Sequence, residues 1–327
     1  MKYDERILKI LSQKPATDVS GEELARELGI SRAAVWKRIK RLRETGFKIG
    51  GETGRGYRLE GIEDLIKLGA LNKKLQTRIV GKKLIYKPIT KSTNSDAFAL
   101  AWDGAPDGTC VIADVQTAGR GRLGRSWIAP AGSAVLTSVV LRPPLTPQTA
   151  TLLTLAAGIA VARTVKRVTD IEPWIKWPND IFVANKKLAG ILTEMHAELD
   201  KVHFVVIGIG MNVNIDRKAL PADIRKIATS LSIEAKREIN RNQLIATLYF
   251  ELEHAYYRLI EKGKKTIIEQ WEEISGIHGK KVRASLIDGS KVLGTAAGLD
   301  SEGSLVIVDP KGGKRYVTAG DIEITKS

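Results

Sequence analysis

The chain has 327 residues, a hydrophobic fraction of 43% and a formal net charge of +15, which allows two or three domains with ordinary cores and points to a polyanionic partner. A single cysteine excludes an intrachain disulfide and suits a reducing cytoplasm; no apolar run reads as a bilayer span, and Met1-Lys-Tyr-Asp-Glu-Arg lacks the apolar core of a signal peptide. His196, His203, His254 and His278 have no zinc-ligand spacing, so neither a tightly bound zinc nor a redox cofactor is expected.

Residues 1–62 read as a DNA-binding unit. Ile7, Leu8, Ile10 and Leu11 recur at helical spacing. Ser20-Gly-Glu-Glu23 is a capping box opening a helix over 22–28, which Gly29 stops. Ser31 caps a second helix over 32–45, stopped by Gly46. Two helices joined by Gly29-Ile-Ser31 make a helix-turn-helix. The second carries Arg32, Lys37, Arg38, Lys40, Arg41 and Arg43 with no acid among them, as a recognition helix in the major groove would, with Ser31, Arg32, Lys37 and Arg38 as the contacts. Residues 47–49 and 57–59 flank a glycine-rich turn, a wing with Arg55 at its tip for a phosphate or the minor groove. The alternative is a small helical domain with a solvated basic face.

Residues 63–274 mix the two patterns. Strands are predicted over 83–87, 109–116, 134–141, 175–177, 181–183, 188–194 and 202–214, and helices over 92–102, 148–168 and 240–262. The almost wholly apolar 150–162 predicts a helix buried on several sides. The fold class is α+β with a largely antiparallel or mixed sheet. In 275–327, turn signals at Asp288-Gly289, Asp300 to Gly303 and Lys311 to Gly313 separate five short strands, a small SH3-like β-barrel.

Within the central domain, Gly119-Arg-Gly-Arg-Leu-Gly-Arg-Ser-Trp127 is the most unusual stretch. Its glycines let the backbone approach a ligand closely, its arginines supply cations for a phosphate or carboxylate, and its tryptophan suits a flat ring. Gly119, Gly121 and Gly124 fit the dinucleotide fingerprint, and Gly119 to Ser126 approximates a phosphate loop with arginine in the lysine's place. Both motifs require a helix directly after the loop. Pro130 and Gly132 oppose one, 133–141 reads as a strand, and the acidic ribose partner expected about 20 residues on is missing. A solvated Arg/Gly turn is the remaining alternative to an anion site.

Four more segments concentrate polar groups: Lys91-Ser-Thr-Asn-Ser95, Lys176-Trp-Pro-Asn-Asp180, Lys186-Lys-Leu-Ala-Gly-Ile-Leu-Thr-Glu194 and Gly208-Ile-Gly-Met-Asn-Val-Asn214. Singly they read as a helix cap, a turn, a strand with charged edges and a bulged strand end. Together and in this order they resemble the biotin protein ligases, over nearly the whole chain. With the winged helix in front and the barrel behind, the chain is similar to the bifunctional ligases that also repress the biotin operon. Leu123 stands where some members have a further arginine, and the tail from Asp321 is short for a contact to the nucleotide.

The resemblance implies that biotin's carboxylate attacks the α-phosphorus of ATP, giving biotinyl-5′-AMP, and that a lysine amine on a biotin carboxyl carrier protein domain then takes the biotinyl group. It assigns catalysis to Lys187 and Arg122. Biotin binding goes to Ser92, Thr93, Asn94, Gln116, Gly119, Arg120, Gly121, Arg122 and Lys187, and nucleotide binding to Arg122, Arg125, Trp127, Lys176, Asn179 and Asn212. Asp180 is the candidate to help hold Mg²⁺, and Trp127 to stack on adenine. The implied partners are the carrier domain, operator DNA and a second copy of the chain when the adenylate is bound, with residues 223–231 as a candidate dimer segment; no membrane is implied. The rival readings are a regulator with an inactive ligase domain and a lipoate-type ligase.

Overall fold

The computed structural model describes residues 2–14, 17–51, 55–61, 65–217 and 222–325. It opens with α1 (Lys2–Gln13), α2 (Gly21–Leu28), α3 (Arg32–Glu44) and a hairpin of β1 (Ile49–Gly50) and β2 (Arg58–Leu59). The caps form as their spacing predicts: the Ser20 and Ser31 hydroxyls accept from the N–H groups of Glu23 and Ala34, satisfying donors that the first helical turn leaves open. Leu8, Leu11, Leu24, Leu28, Val35, Ile39 and Leu42 meet Phe47, Ile49 and Leu59 in one core. Ile89 and Val115 of the central domain belong to the same core, and Gly46 lies so close to Pro130 and Ala131 that a Cβ there would stand 2.8 Å from the Ala131 nitrogen. Part of the wing tip (52–54) and the expected boundary at 62 lie outside the described residues.

After α4 (Leu68–Asn72) come β3 (Leu84–Thr90), α5 (Thr93–Trp102) and β4 (Cys110–Gln116), then a small hairpin of β5 (Gly119–Arg120) and β6 (Ser126–Trp127). β7 (Ala134–Leu141), α6 (Pro147–Ala150), α7 (Leu153–Thr169), β8 (Trp174–Lys176), β9 (Asp180–Val183), β10 (Lys186–Ala197) and β11 (Val202–Asn212) follow. The helices α8 (Ala222–Ile227), α9 (Leu231–Ala235), α10 (Arg241–Lys262) and α11 (Lys264–Ile274) complete the domain. The sheet has seven strands in the order β3-β4-β7-β11-β10-β9-β8, and only β3 and β4 run parallel.

Strand alternation assigns the two faces of this sheet. Ile112, Val139, Leu141, Ile191, Val205, Ile207 and Ile209 join the core built on α7 and α10, while Val111, Val140, Phe204 and Val206 face α5. α7 is buried around most of its circumference, as its apolar composition predicts. The expected single helix over 148–168 is instead two, broken between Ala150 and Leu153. Taken together, Pro147–Thr169 matches a membrane-crossing helix by length and composition only, and most of it is buried inside the fold.

The last unit comprises β12 (Lys281–Leu286), β13 (Lys291–Leu299), β14 (Leu305–Val308), β15 (Lys314–Val317) and β16 (Gly320–Ile324). They form an antiparallel sheet in the order β15-β14-β13-β12-β16. The five short strands form as the turn signals predict, and among the described residues no ladder joins β15 to β16, so the small barrel is not closed between them. Its inner side chains Val282, Ala284, Ala296, Leu305, Ile307, Val317 and Ile322 share the main core of the central domain.

Candidate functional site

The face of the sheet shared with α5 carries the site. Gly190 on β10 and Gly210 on β11 are direct cross-strand partners, and Leu192 faces Gly208. Gly208 is in turn opposite Ser138 on β7. The three glycines therefore lie on one face and leave a bare patch of backbone. Gly208 makes room for Asn94, since a Cβ there would stand 1.9 Å from its Oδ1. Gly210 makes room for Trp127, whose Cε2 would be 2.6 Å from an added Cβ.

At one end of the patch the start of α5 presents buried polar groups. Ser92 is the N-cap, its hydroxyl accepting from the Ser95 N–H. The backbone N–H and Oγ1 of Thr93 donate to Gln116 Oε1 at 2.7 and 2.9 Å. Asn94 Nδ2 donates to the Leu192 carbonyl and to Glu194 Oε2, and Asn94 Oδ1 accepts from Ser138 Oγ at 2.6 Å. Ser92, Thr93 and Asn94 are almost fully buried, so this network fixes their directions before any ligand arrives. Ser138, Gly208 and Glu194 are members that the sequence reading did not assign. Ser138 leaves a signal, since Thr137 and Ser138 put two hydroxyls in the middle of an apolar strand.

The other end is cationic. Lys187 Nζ lies 2.7 Å from Asp180 Oδ1 and 5.7 Å from the Trp127 ring centre. Arg122 donates to Asn179 Oδ1 and to the Gly320 carbonyl, and Asn179 Nδ2 donates to the Ile191 carbonyl. Arg122 and Arg125 both pair with Asp321 of the C-terminal sheet, a partner invisible in the sequence pattern because it comes from another domain. Burial lowers the pKa values of Lys176 and Arg122, while the negative charge of Asp180 opposes the shift at both. Four cations against two carboxylates leave an excess of positive charge, as an anion site requires. Asn212 sits a step away: its Nδ2 donates to the Thr229 carbonyl, and the Thr229 N–H donates to the Lys187 carbonyl.

Between the two ends lies residues 119–127, folded as the β5–β6 hairpin around a 3-10 turn at Arg122–Gly124. No helix follows it, as Pro130 and Gly132 predict. Leu123 adopts φ 55° and points into solvent. The Trp127 ring rests on the glycine patch, with its Nε1 buried and without a hydrogen-bond partner.

Three assigned residues have partners within the protein. Arg120 pairs with Glu194 at 2.9 Å, the carboxylate that also accepts from Asn94, and lines a cavity of about 450 Å³ with Ser95, Phe98, Ala99, Trp102 and Glu194. Asp180, the candidate to help hold Mg²⁺, has Lys187 Nζ 2.7 Å from its Oδ1. Among the described residues no group of three acidic, histidine or cysteine side chains could hold a metal. The donor set does not fit an ion held by side chains alone, but one carboxylate is what Mg²⁺ shared with substrate phosphates requires. Arg38, expected on DNA, points inward, donating to the fully buried Asp4 at 3.0 Å and lying over the Tyr3 ring. Arg41 pairs with the same carboxylate, and Arg43 donates to the Ile49 and Gly51 carbonyls of the wing. Ser31, Arg32, Lys37, Lys40 and Arg55 remain exposed.

Three family models match the chain in order. They are an HTH domain over residues 4–58, the Biotin/lipoate A/B protein ligase family over 86–212, and the Biotin protein ligase C terminal domain over 277–324. The bifunctional ligase/repressor BirA of Bacillus spizizenii is 38% identical over 318 residues, covering 97% of each chain. The protein of the same name from Escherichia coli K12 is 32% identical over 88% of this chain and 87% of its own. A solved biotin protein ligase from Aquifex aeolicus, in complex with biotin and ATP, superposes with a TM-score of 0.64 at 26% identity, covering 75% of this chain and all of the other. The chain belongs to the biotin protein ligase family, among its members that carry an N-terminal helix-turn-helix domain.

Proposed function

We propose that the chain is an ATP-dependent biotin protein ligase and a DNA-binding repressor of biotin synthesis genes. The observation that carries the ligase reading is the union of two ends across one glycine patch: a buried hydrogen-bonding cluster at Thr93, Asn94, Gln116 and Ser138, and a cationic cluster at Lys187, Lys176, Arg122 and Arg125. The first suits the ureido group of biotin, and the second a carboxylate meeting a triphosphate. Biotin's carboxylate oxygen bonds to the α-phosphorus of ATP and the bond to pyrophosphate breaks. Lys187 and Arg122 stabilise the negative charge that builds on the α-phosphate. The amine of one lysine on a biotin carboxyl carrier protein domain then attacks the acyl carbon, loses a proton and expels AMP. Asp180 would help hold Mg²⁺ together with the phosphates of ATP, and the ion would neutralise charge on the leaving pyrophosphate. Asn179 and Asn212 complete the nucleotide contacts, with Trp127 moving from the glycine patch onto the adenine.

The reading extends to regulation and organisation. The domains are 1–62 for DNA, 63–274 for ligation and 275–327 as the C-terminal unit. The adenylate favours a homodimer that sets two winged helices on two half-sites, with 223–231 contributing to the interface; Ile227 on α8 is 61% exposed. The protein acts in the cytoplasm. The ligase reading is tested by biotin-dependent exchange of labelled pyrophosphate into ATP. Exchange that biotin supports and lipoate does not is the expected result. A folded protein that binds biotin without exchange would be a regulator with an inactive ligase domain.

A further inference from the structure

The outward face of α3 is narrower than its composition suggests. Val35, Ile39 and Leu42 are buried, and Arg38, Arg41 and Arg43 are engaged by Asp4 or by the wing carbonyls. Exposed along the helix are Arg32, Ala33, Trp36, Lys37 and Lys40, together with the tied Arg41 and Arg43 and the terminal Glu44. Trp36 is 52% exposed, and among the described residues its recorded ring contact is with Lys40, at 5.8 Å from the centre. Trp102, also exposed, packs at a tilt against His196 instead, with ring centres 4.8 Å apart. On α3, Arg32 lies one turn before Trp36 and Lys40 one turn after it. A large apolar ring bracketed by cations is costly to leave in water, and this charge complements polyanionic DNA rather than another basic protein surface.

We propose that Trp36 is a specificity-determining residue of the DNA-binding unit, packing its indole on the C5-methyl group of a thymine in the major groove. The inference rests on the DNA-binding reading and deepens it. Arg32, Lys37 and Lys40 reach phosphates, which position the helix without reading sequence. The thymine methyl is the apolar feature that separates thymine from cytosine in that groove. An indole covers it and leaves its Nε1–H free to donate to a neighbouring base acceptor.

The test begins with selection of a binding site from a random duplex library by the full-length protein with biotin and ATP. Wild type, Trp36→Ala and Trp36→Phe are then titrated by fluorescence anisotropy against three kinds of duplex. These are the selected duplex, versions with single thymines replaced by uracil, and a scrambled duplex. Trp36→Ala is expected to lose about tenfold or more on the selected duplex and to bind the scrambled one nearly as wild type does, because the phosphate contacts survive. Replacing one or two thymines should cost wild type roughly fourfold each, the worth of a buried methyl, and should cost Trp36→Ala nothing. Trp36→Phe should keep most of the affinity, and a wild-type rate of pyrophosphate exchange by Trp36→Ala would show that the fold is intact. Equal losses on selected and scrambled duplexes would make Trp36 a backbone contact and overturn the proposal. So would a uracil penalty that persists in Trp36→Ala, or a selected site without thymine. Failure to enrich any site would remove the DNA-binding reading itself.

Discussion

The two ends of the ligase site are held by different physics. At the biotin end, Thr93, Asn94, Gln116 and Ser138 are tied by short hydrogen bonds in a nearly dry environment. At the phosphate end, Arg122, Arg125 and Lys187 are tied by ion pairs to Asp321 and Asp180, and Arg125 is more than half exposed. A buried network is costly to rearrange and so presents a fixed shape. Partly exposed ion pairs contribute little stability, and phosphate oxygens can replace the carboxylates at small cost. One end selects by shape, and the other exchanges an internal anion for the ligand's.

That contrast can be broken most severely at Lys187. Lys187→Gln should lower the pyrophosphate exchange rate by roughly 10²–10³-fold, the usual cost of losing a charge-stabilising donor, and weaken biotin binding by calorimetry far less, by about fivefold, the worth of one partly exposed charge on biotin's carboxylate. Loss of both together would mean that the ends are not separable. Next is Gly208→Ala, which drives a methyl into Asn94. Biotin affinity should fall at least about tenfold, by disruption of buried hydrogen bonds, and stability should drop by about 1–3 kcal/mol from overpacking. An unchanged biotin Kd would remove Asn94 from the recognition set.

A smaller effect is expected at Asp321. Asp321→Asn should raise amide hydrogen exchange across 119–127 a few-fold in the protein without ligands, in line with a surface ion pair worth up to about 1 kcal/mol. With biotin and ATP bound the variant and wild type should exchange alike. Equal protection in the ligand-free proteins would show that Asp321 does not hold the loop.

The mildest test is pH. Burial lowers the Lys176 pKa. Between that lowered value and the ordinary lysine range, the unfolded chain binds the extra proton, so stability rises with pH in this window. Phosphate binding needs the ammonium, so the KM for ATP should rise over the same window, and Lys176→Arg should flatten that limb. Parallel curves for wild type and variant would exclude Lys176 as the titrating group.

Local chemistry was legible in the sequence, and long-range partnership was not. Ser20, Ser31 and Ser92 cap helices because the capping bond spans three residues. The absence of a helix after 119–127 followed from Pro130 and Gly132 alone. Arg38 was misread because helical periodicity places it at the edge of the apolar stripe, where its direction is decided by Asp4, 34 positions away. Asp321 and Ser138 were missed for the same reason. The helix over 264–274 was not foreseen, although Ile267, Ile268 and Trp271 have helical spacing and are buried. Turn signals located the five strands of the C-terminal unit, but whether its end strands β15 and β16 pair is a property they do not encode.

The seam between the winged helix and the ligase has a consequence for modularity. Ile89 ends one residue before Thr90, and Val115 immediately precedes Gln116 of the biotin cluster, yet both are wall residues of the DNA-binding core. A reading head transplanted from another regulator would have to supply a matching apolar cover for them, so interchange of this module is limited by packing at its base as much as by the bases it reads.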